Sequence, residues 1–212
     1  MQLLLTDRLA CPRCGPEFGL ILRADHMVER RVLEGVLGCP NCRDGFEVHE
    51  GFADLRAPPR GELPEGRAGG AAPDLAEASS EAERLVALMG IERGPGTVVM
   101  TGRAARLAGG VADLLDDVQV VGVDPDLKTW ADVPGVSRIV ATPGLPFFSR
   151  VLRGVVVDGA FGRAAVYEAG RVVAPRSRVV VVDASADATS VLEEAGLTVL
   201  AEEGGTVVAA RS

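Results

Sequence analysis

The chain has 212 residues, of which 47% are hydrophobic and 25% charged, with 22 basic against 30 acidic side chains and a net charge of −8. That balance is globular and the length supports at least one sizeable core, but the acidity excludes a broad electrostatic hold on nucleic acid, which rests on Lys and Arg against phosphate. Four cysteines are too few to staple a secreted fold of this length, no run approaches the ~18 apolar residues that cross a bilayer, and the opening residues lack a signal-peptide pattern, so a cytoplasmic protein without membrane contact is expected.

All four cysteines fall within the first 42 residues, as Cys11-Pro-Arg-Cys14 and Cys39-Pro-Asn-Cys42. The C-x2-C-x24-C-x2-C spacing predicts a structural zinc site. Two knuckles each turn two thiolates toward one tetrahedral metal, and four thiolates leave no open position for chemistry. Two disulfides or a redox pair are the competing readings. A reducing compartment disfavours the first, and the second needs only one pair, ahead of a helix. Leu20–Leu37 between the knuckles reads as a hairpin. His26 and His49, the only histidines, read as surface residues beside a complete thiolate set. Of Phe18, Phe46 and Phe52, candidates for an apolar docking face, at least two read as core.

Ala57–Ser79 is dominated by proline, glycine and alanine and reads as a linker. The expected division is a zinc-ribbon domain at 1–60, a linker at 61–80 and a second domain at 81–212. Residues 1–60 hold 8 basic and 9 acidic side chains against 14 and 21 beyond, so the acidity belongs to the second domain. Nucleic acid is an unfavourable partner there, and any such contact would fall to the ribbon, where Arg30, Arg31 and Arg43 stand.

Ser80 with Glu83 has capping-box spacing and predicts a helix from Ser80 to Gly90. Short Val-rich runs follow at Thr97–Met100, Gln119–Val123, Arg138–Ala141, Val155–Asp158 and Arg178–Asp183. Helical stretches are predicted at Arg103–Leu115, around Leu127–Val133, at Ala160–Val173 and at Ala186–Ala195. Unalternating apolar strands separated by helices predict a parallel sheet covered on both faces. Leu197–Ala201 and Thr206–Ala210, joined by Glu-Glu-Gly-Gly, predict a closing antiparallel hairpin. The fold class is therefore α/β: a small four-cysteine ribbon followed by a Rossmann-like, mostly parallel sheet with a C-terminal hairpin.

Two resemblances attach to these residues. Leu9-Ala10-Cys11-Pro12-Arg13-Cys14, Leu37-Gly38-Cys39-Pro40-Asn41-Cys42 and Gly51-Phe52-Ala53-Asp54-Leu55 resemble the zinc-ribbon family of tRNA-methyltransferase activators, whose members bind and stabilise methyltransferases. The resemblance implies a methyltransferase or another protein as a partner for the ribbon. Leu145-Pro146-Phe147, Gly154–Gly159 and Glu168–Arg178 are similar to segments of class I S-adenosylmethionine-dependent methyltransferases.

Residue by residue, that second resemblance implies cofactor contacts at Gly102, the first of three loop glycines, at Asp124, the ribose-binding acid, and at Leu145. The rest departs from the pattern. Ala104 and Arg106 stand for the second and third glycines, Met100 for the acid ahead of the loop, and Ala141 for the acid near the adenine. No catalytic box follows the fourth strand. Asp158 stands there, a possible general base but more simply a strand-capping acid. Two functions result. One is a zinc-binding, methyltransferase-like interaction or regulatory module that is non-catalytic or cofactor-impaired. The other is an active methyltransferase with a divergent cofactor loop, acting on RNA, protein or a small molecule. The catalytic residues and enzyme status stay open; a pocket for another nucleotide is a third, weaker reading.

Overall fold

The computed structural model describes residues 1–63, 75–130, 133–142 and 144–212. The first segment contains β1 (Ala10–Cys11), β2 (Gly15–Gly19), β3 (Ile21–Val28), β4 (Arg31–Gly38), β5 (Gly45–His49) and β6 (Phe52–Arg56). After α1 (Leu75–Met89) come β7 (Arg93–Thr101), α2 (Ala108–Leu114), β8 (Asp116–Val123), β9 (Val136–Thr142) and β10 (Leu152–Asp158). The chain ends with α3 (Gly162–Val172), β11 (Val173–Val182), α4 (Ala188–Glu194), β12 (Thr198–Glu203) and β13 (Thr206–Ala210).

The expected parallel strands, hairpins and covering helices are all present, with three local differences. Of the predicted linker, residues 64–74 lie outside the described residues, and α1 already runs from Leu75. Ser80 is therefore inside the helix and caps nothing. The predicted helix from Arg103 is divided, a 3-10 turn over Gly102–Leu107 preceding α2. The short helix near Leu127 is likewise a 3-10 turn, Pro125–Thr129, whose first amides are capped by the Asp124 side chain.

One sheet of eleven strands runs through the molecule in the order β12-β13-β11-β10-β7-β8-β9-β6-β5-β4-β3. From β11 to β6 all neighbours are parallel, and the remaining pairs at both ends are antiparallel. Period-2 alternation divides the valines between two core layers. Val98, Val120, Val156 and Val180 face Leu85 and Met89 of α1 and Val111 of α2. Val99, Val121, Val155 and Val179 face Val166 of α3, Val191 of α4 and the cysteine-bearing segment.

The junction between the two parts was not legible in the sequence. β6 lies parallel to β9 in register from Phe52 opposite Arg138 to Arg56 opposite Thr142. Edge backbone groups that would otherwise face water are thereby paired. A second seam joins the first knuckle to the Leu145–Phe148 segment. The Ala10 amide donates to the Pro146 carbonyl at 2.9 Å, and the Phe148 amide to the Arg8 carbonyl at 3.0 Å. Leu5, Leu9, Leu37 and Phe46 share one continuous apolar layer with Ile139, Phe147 and Leu152.

Candidate functional site

The four cysteines come from the ends of β1 and β4 and the turns that follow them. Cys11 and Cys39 are buried, Cys14 and Cys42 partly so. All four sulfurs lie within 4.8 Å of one another. Cys11 Sγ is 3.7 Å from Cys42 Sγ, and Cys14 Sγ is 3.8 Å from Cys39 Sγ. A disulfide needs about 2.05 Å. A zinc tetrahedron with bonds of about 2.3 Å has edges of about 3.8 Å, so the donor set fits that metal. Burial opposes ionisation of Cys39, but the amides of Cys42 and Asn41 outweigh it and bring the thiol down to about 7. The Asn41 side-chain amide donates to Cys14 Sγ at 3.3 Å, and the Arg13–Asp44 pair at 2.8 Å ties the knuckles together outside the sulfurs. Bound zinc would hold this turn geometry and perform no reaction.

Both histidines are exposed, His49 paired with Glu34 at 3.0 Å. Phe46 and Phe52 are buried and Phe18 is exposed, the division expected of a small domain that needs its aromatics for the core.

The second site is a cleft of about 370 Å³ across the C-terminal ends of β6, β9, β8, β7 and β10, the side of a parallel sheet on which ligands bind. Gly102 and Asp124 both line it. Leu145 does not lie among its lining residues; it is buried in the layer shared with the cysteine-bearing segment. Its amide donates to Glu168 at 3.2 Å and its carbonyl accepts from Arg171 at 2.8 Å. The Glu168–Arg171 pair therefore clamps the Leu-Pro-Phe segment that receives the first knuckle, which gives both motifs a structural role. Burial would raise the Glu168 pKa, but Arg171 and the Leu145 amide hold it below its ordinary value of 4.5. A lowered folded-state value means the stabilisation is present above 4.5 and lost as pH falls through the folded value. Glu168→Gln is expected to cost about 1–2 kcal/mol at neutral pH, in urea melts, with the difference from wild type shrinking in acid.

Gly102 has a φ of +58°, and a Cβ there would lie 2.4 Å from the Phe161 ring and 2.8 Å from the Asp158 Cβ. The glycine is required by this close approach of the turn to the end of β10. Asp158 is buried and committed: its carboxylate accepts from the amides of Arg103 at 3.0 Å and Ala160 at 2.9 Å, and from the Arg103 guanidinium. Among its contacts the structural role predominates over a base poised for substrate. Arg103 also pairs with Asp183. Met100, in place of an acid, is fully buried against the α1–α2 layer.

Among the described residues three arginines line the cleft. Arg103 and Arg106 come from the turn after β7, and Arg56 comes from β6, beyond the edge of the Rossmann-like sheet. Arg56 holds Asp54 in a two-pronged pair at 2.7 and 2.9 Å. Arg106 reaches Asp126 only at 3.5 Å. The sequence marked Arg106 as a lost glycine and gave no reason to place Arg56 near Asp124, because their proximity depends on the β6–β9 seam.

No family model and no curated protein matches the chain. Solved structures do. A protein from Methanococcus maripaludis, provisionally assigned as an S-adenosyl-L-methionine-dependent methyltransferase, aligns over 65% of this chain and 86% of its own at 16% identity and a TM-score of 0.50. A complex of the Haloferax volcanii Trm112 methyltransferase activator with a provisionally assigned methyltransferase aligns over 61% of this chain and 76% of that one, at 18% identity and a TM-score of 0.45. A precorrin-6y C5,15-methyltransferase from Geobacter metallireducens aligns over 63% and 88%, at 13% identity and a TM-score of 0.47. At these identities the likeness is one of fold: the chain has a Rossmann-like methyltransferase fold, with a cluster of four cysteines. Among the described residues no helix is long and apolar enough to cross a membrane.

Proposed function

We propose that the protein is a zinc-binding, methyltransferase-like module that does not catalyse methyl transfer, and that its ribbon acts first on the chain's own Rossmann-like domain. The observation that supports this most is the Gly102–Arg106 turn. Ala104 and Arg106 replace two glycines, and the Arg103 amide and guanidinium occupy Asp158, the acid at the end of β10. S-adenosylmethionine carries an ammonium and a sulfonium at that end. The cleft offers arginine there, Met100 is buried, and Ala141 lines the opposite wall without a carboxylate. The residues fit a ribose at Asp124 and do not fit the rest of that cofactor.

The ribbon's relatives by resemblance bind methyltransferases as separate partners. Here β6 already pairs with β9, so that role is filled within the chain, and further protein partners would use other surfaces. The alternative, an active methyltransferase with a divergent loop, draws on one observation: Asp124 lines the cleft as the resemblance requires.

Calorimetry on zinc-loaded protein separates the two. No heat is expected with S-adenosylmethionine or S-adenosylhomocysteine at millimolar concentration. Micromolar binding that is lost in Asp124→Ala would establish the enzyme reading instead.

A further inference from the structure

We infer that the cleft takes a nucleoside 5′-phosphate, with Asp124 on the ribose and Arg106 on the phosphate. The inference rests on the reading above, that the cleft has lost its fit to a cationic cofactor, and goes on to ask what charge it fits now.

Two features of a nucleoside site are in place. Asp124 follows β8 and lines the cleft, its carboxylate accepting from the Asp126 amide at 2.8 Å, and an acid at such a strand end can also accept from vicinal hydroxyls. Val123, Val140, Ala141 and the half-exposed ring of Phe161 supply apolar and aromatic surface for a base. The volume of about 370 Å³ suits a ligand of this size, within the roughly 300–1,000 Å³ of small-molecule sites.

The 5′ end of such a ligand would face the turn after β7, and there the charge is reversed relative to the resemblance. Positions where acids would stand hold Met100 and Ala141, and a glycine position holds Arg106. The Arg106 side chain is about a quarter exposed (26%), and among the described residues its one hydrogen-bonded partner is Asp126, at a long 3.5 Å. Most of its five donors are thus uncommitted and border the cleft, a geometry suited to two phosphate oxygens at once. Arg103 flanks it, its guanidinium largely exposed but paired with Asp158 and Asp183. Asp158 is taken up by two amides and the Arg103 guanidinium, and Asp126 by the long Arg106 contact, so it is Arg106 whose donors are left for a ligand.

The test uses the zinc-loaded full chain and four probes: ADP, AMP, adenosine and inorganic phosphate. By calorimetry, ADP and AMP are expected to bind at least about tenfold more tightly than adenosine, and free phosphate weakly. Arg106→Gln should erase the advantage of the phosphate while leaving adenosine binding in place. Arg106→Lys should restore part of it, which a folding defect would not, and Asp124→Asn should weaken all three nucleosides. Equal affinity for ADP and adenosine, an unchanged ratio in Arg106→Gln, or no binding of any probe at millimolar concentration would overturn the inference. Failure of both ADP and S-adenosylmethionine to bind removes this inference alone. Preference for S-adenosylmethionine removes the non-catalytic reading as well.

Discussion

Replacing Cys39 by serine should unfold far more than a zinc knuckle. Structural zinc contributes about 10–16 kcal/mol to folding in small zinc-finger peptides at neutral pH, as much as the whole net stability of a typical domain, about 5–15 kcal/mol. In this chain the consequence spreads, because Cys11 and Cys39 belong to the same apolar layer as Ile139, Phe147 and Val121. Without the proposed zinc, β4, β5 and β6 should be released and the edge of β9 exposed across the Phe52–Arg56 pairing. Metal analysis should give about one zinc per chain in the wild type and none in Cys39→Ser. Hydrogen exchange in the variant should rise in Val136–Thr142 as well as in the first 56 residues. A metal-free chain with protected β4–β6 amides would refute the zinc assignment. Exchange confined to the ribbon would refute the coupling.

The second large effect is expected at Arg138, which is 5% exposed on β9. Its guanidinium donates to the Leu127 carbonyl at 3.1 Å, the Glu50 carbonyl at 2.6 Å, and the Trp130 carbonyl. One side chain thereby joins the turn before β6 to the 3-10 turn that follows Asp124. Truncation leaves the buried Leu127 carbonyl and the part-buried Trp130 and Glu50 carbonyls without this donor, and Arg138→Ala should cost about 3–5 kcal/mol. Arg138→Lys should recover only part, since an ammonium cannot reach three carbonyls in one plane. Urea unfolding gives the cost, and a loss below about 1 kcal/mol would show that β6 holds its place without this arginine.

The expected strands and the cysteine cluster were legible for separate physical reasons. Val-rich runs such as Val155–Val157 are apolar at every position, which only a strand buried on both faces tolerates, and their spacing by helices implied parallel order. The cysteines were legible because a two-residue spacer is a local constraint on a turn. Asp124 was singled out through the resemblance, as an acid closing the second strand, and it lines the cleft. The boundaries of the helices were less so: Ser80 has the chemistry of a cap but lies within α1, whose start precedes it. The helix predicted from Arg103 is divided at Ala108, and its first amide is satisfied by Asp158, fifty-five residues away, which no local pattern announces. Leu145 carries a motif's signature, yet its amide and carbonyl are held by Glu168 and Arg171 in the core seam.

The sequence alone determined the α/β class and the four-cysteine cluster, because each is written in residue type at short spacing. Only the tertiary structure decided that β6 continues the sheet from β9, so that Arg56 and Arg106 border one cleft. Strand pairing across that seam uses backbone groups, which every residue except proline carries alike, and Phe52–Arg56 holds no side-chain signal that names its partner. Most of the net charge of −8 falls beyond residue 60, yet in this cleft Arg56, Arg103 and Arg106 stand beside Asp124, Asp126 and Asp158.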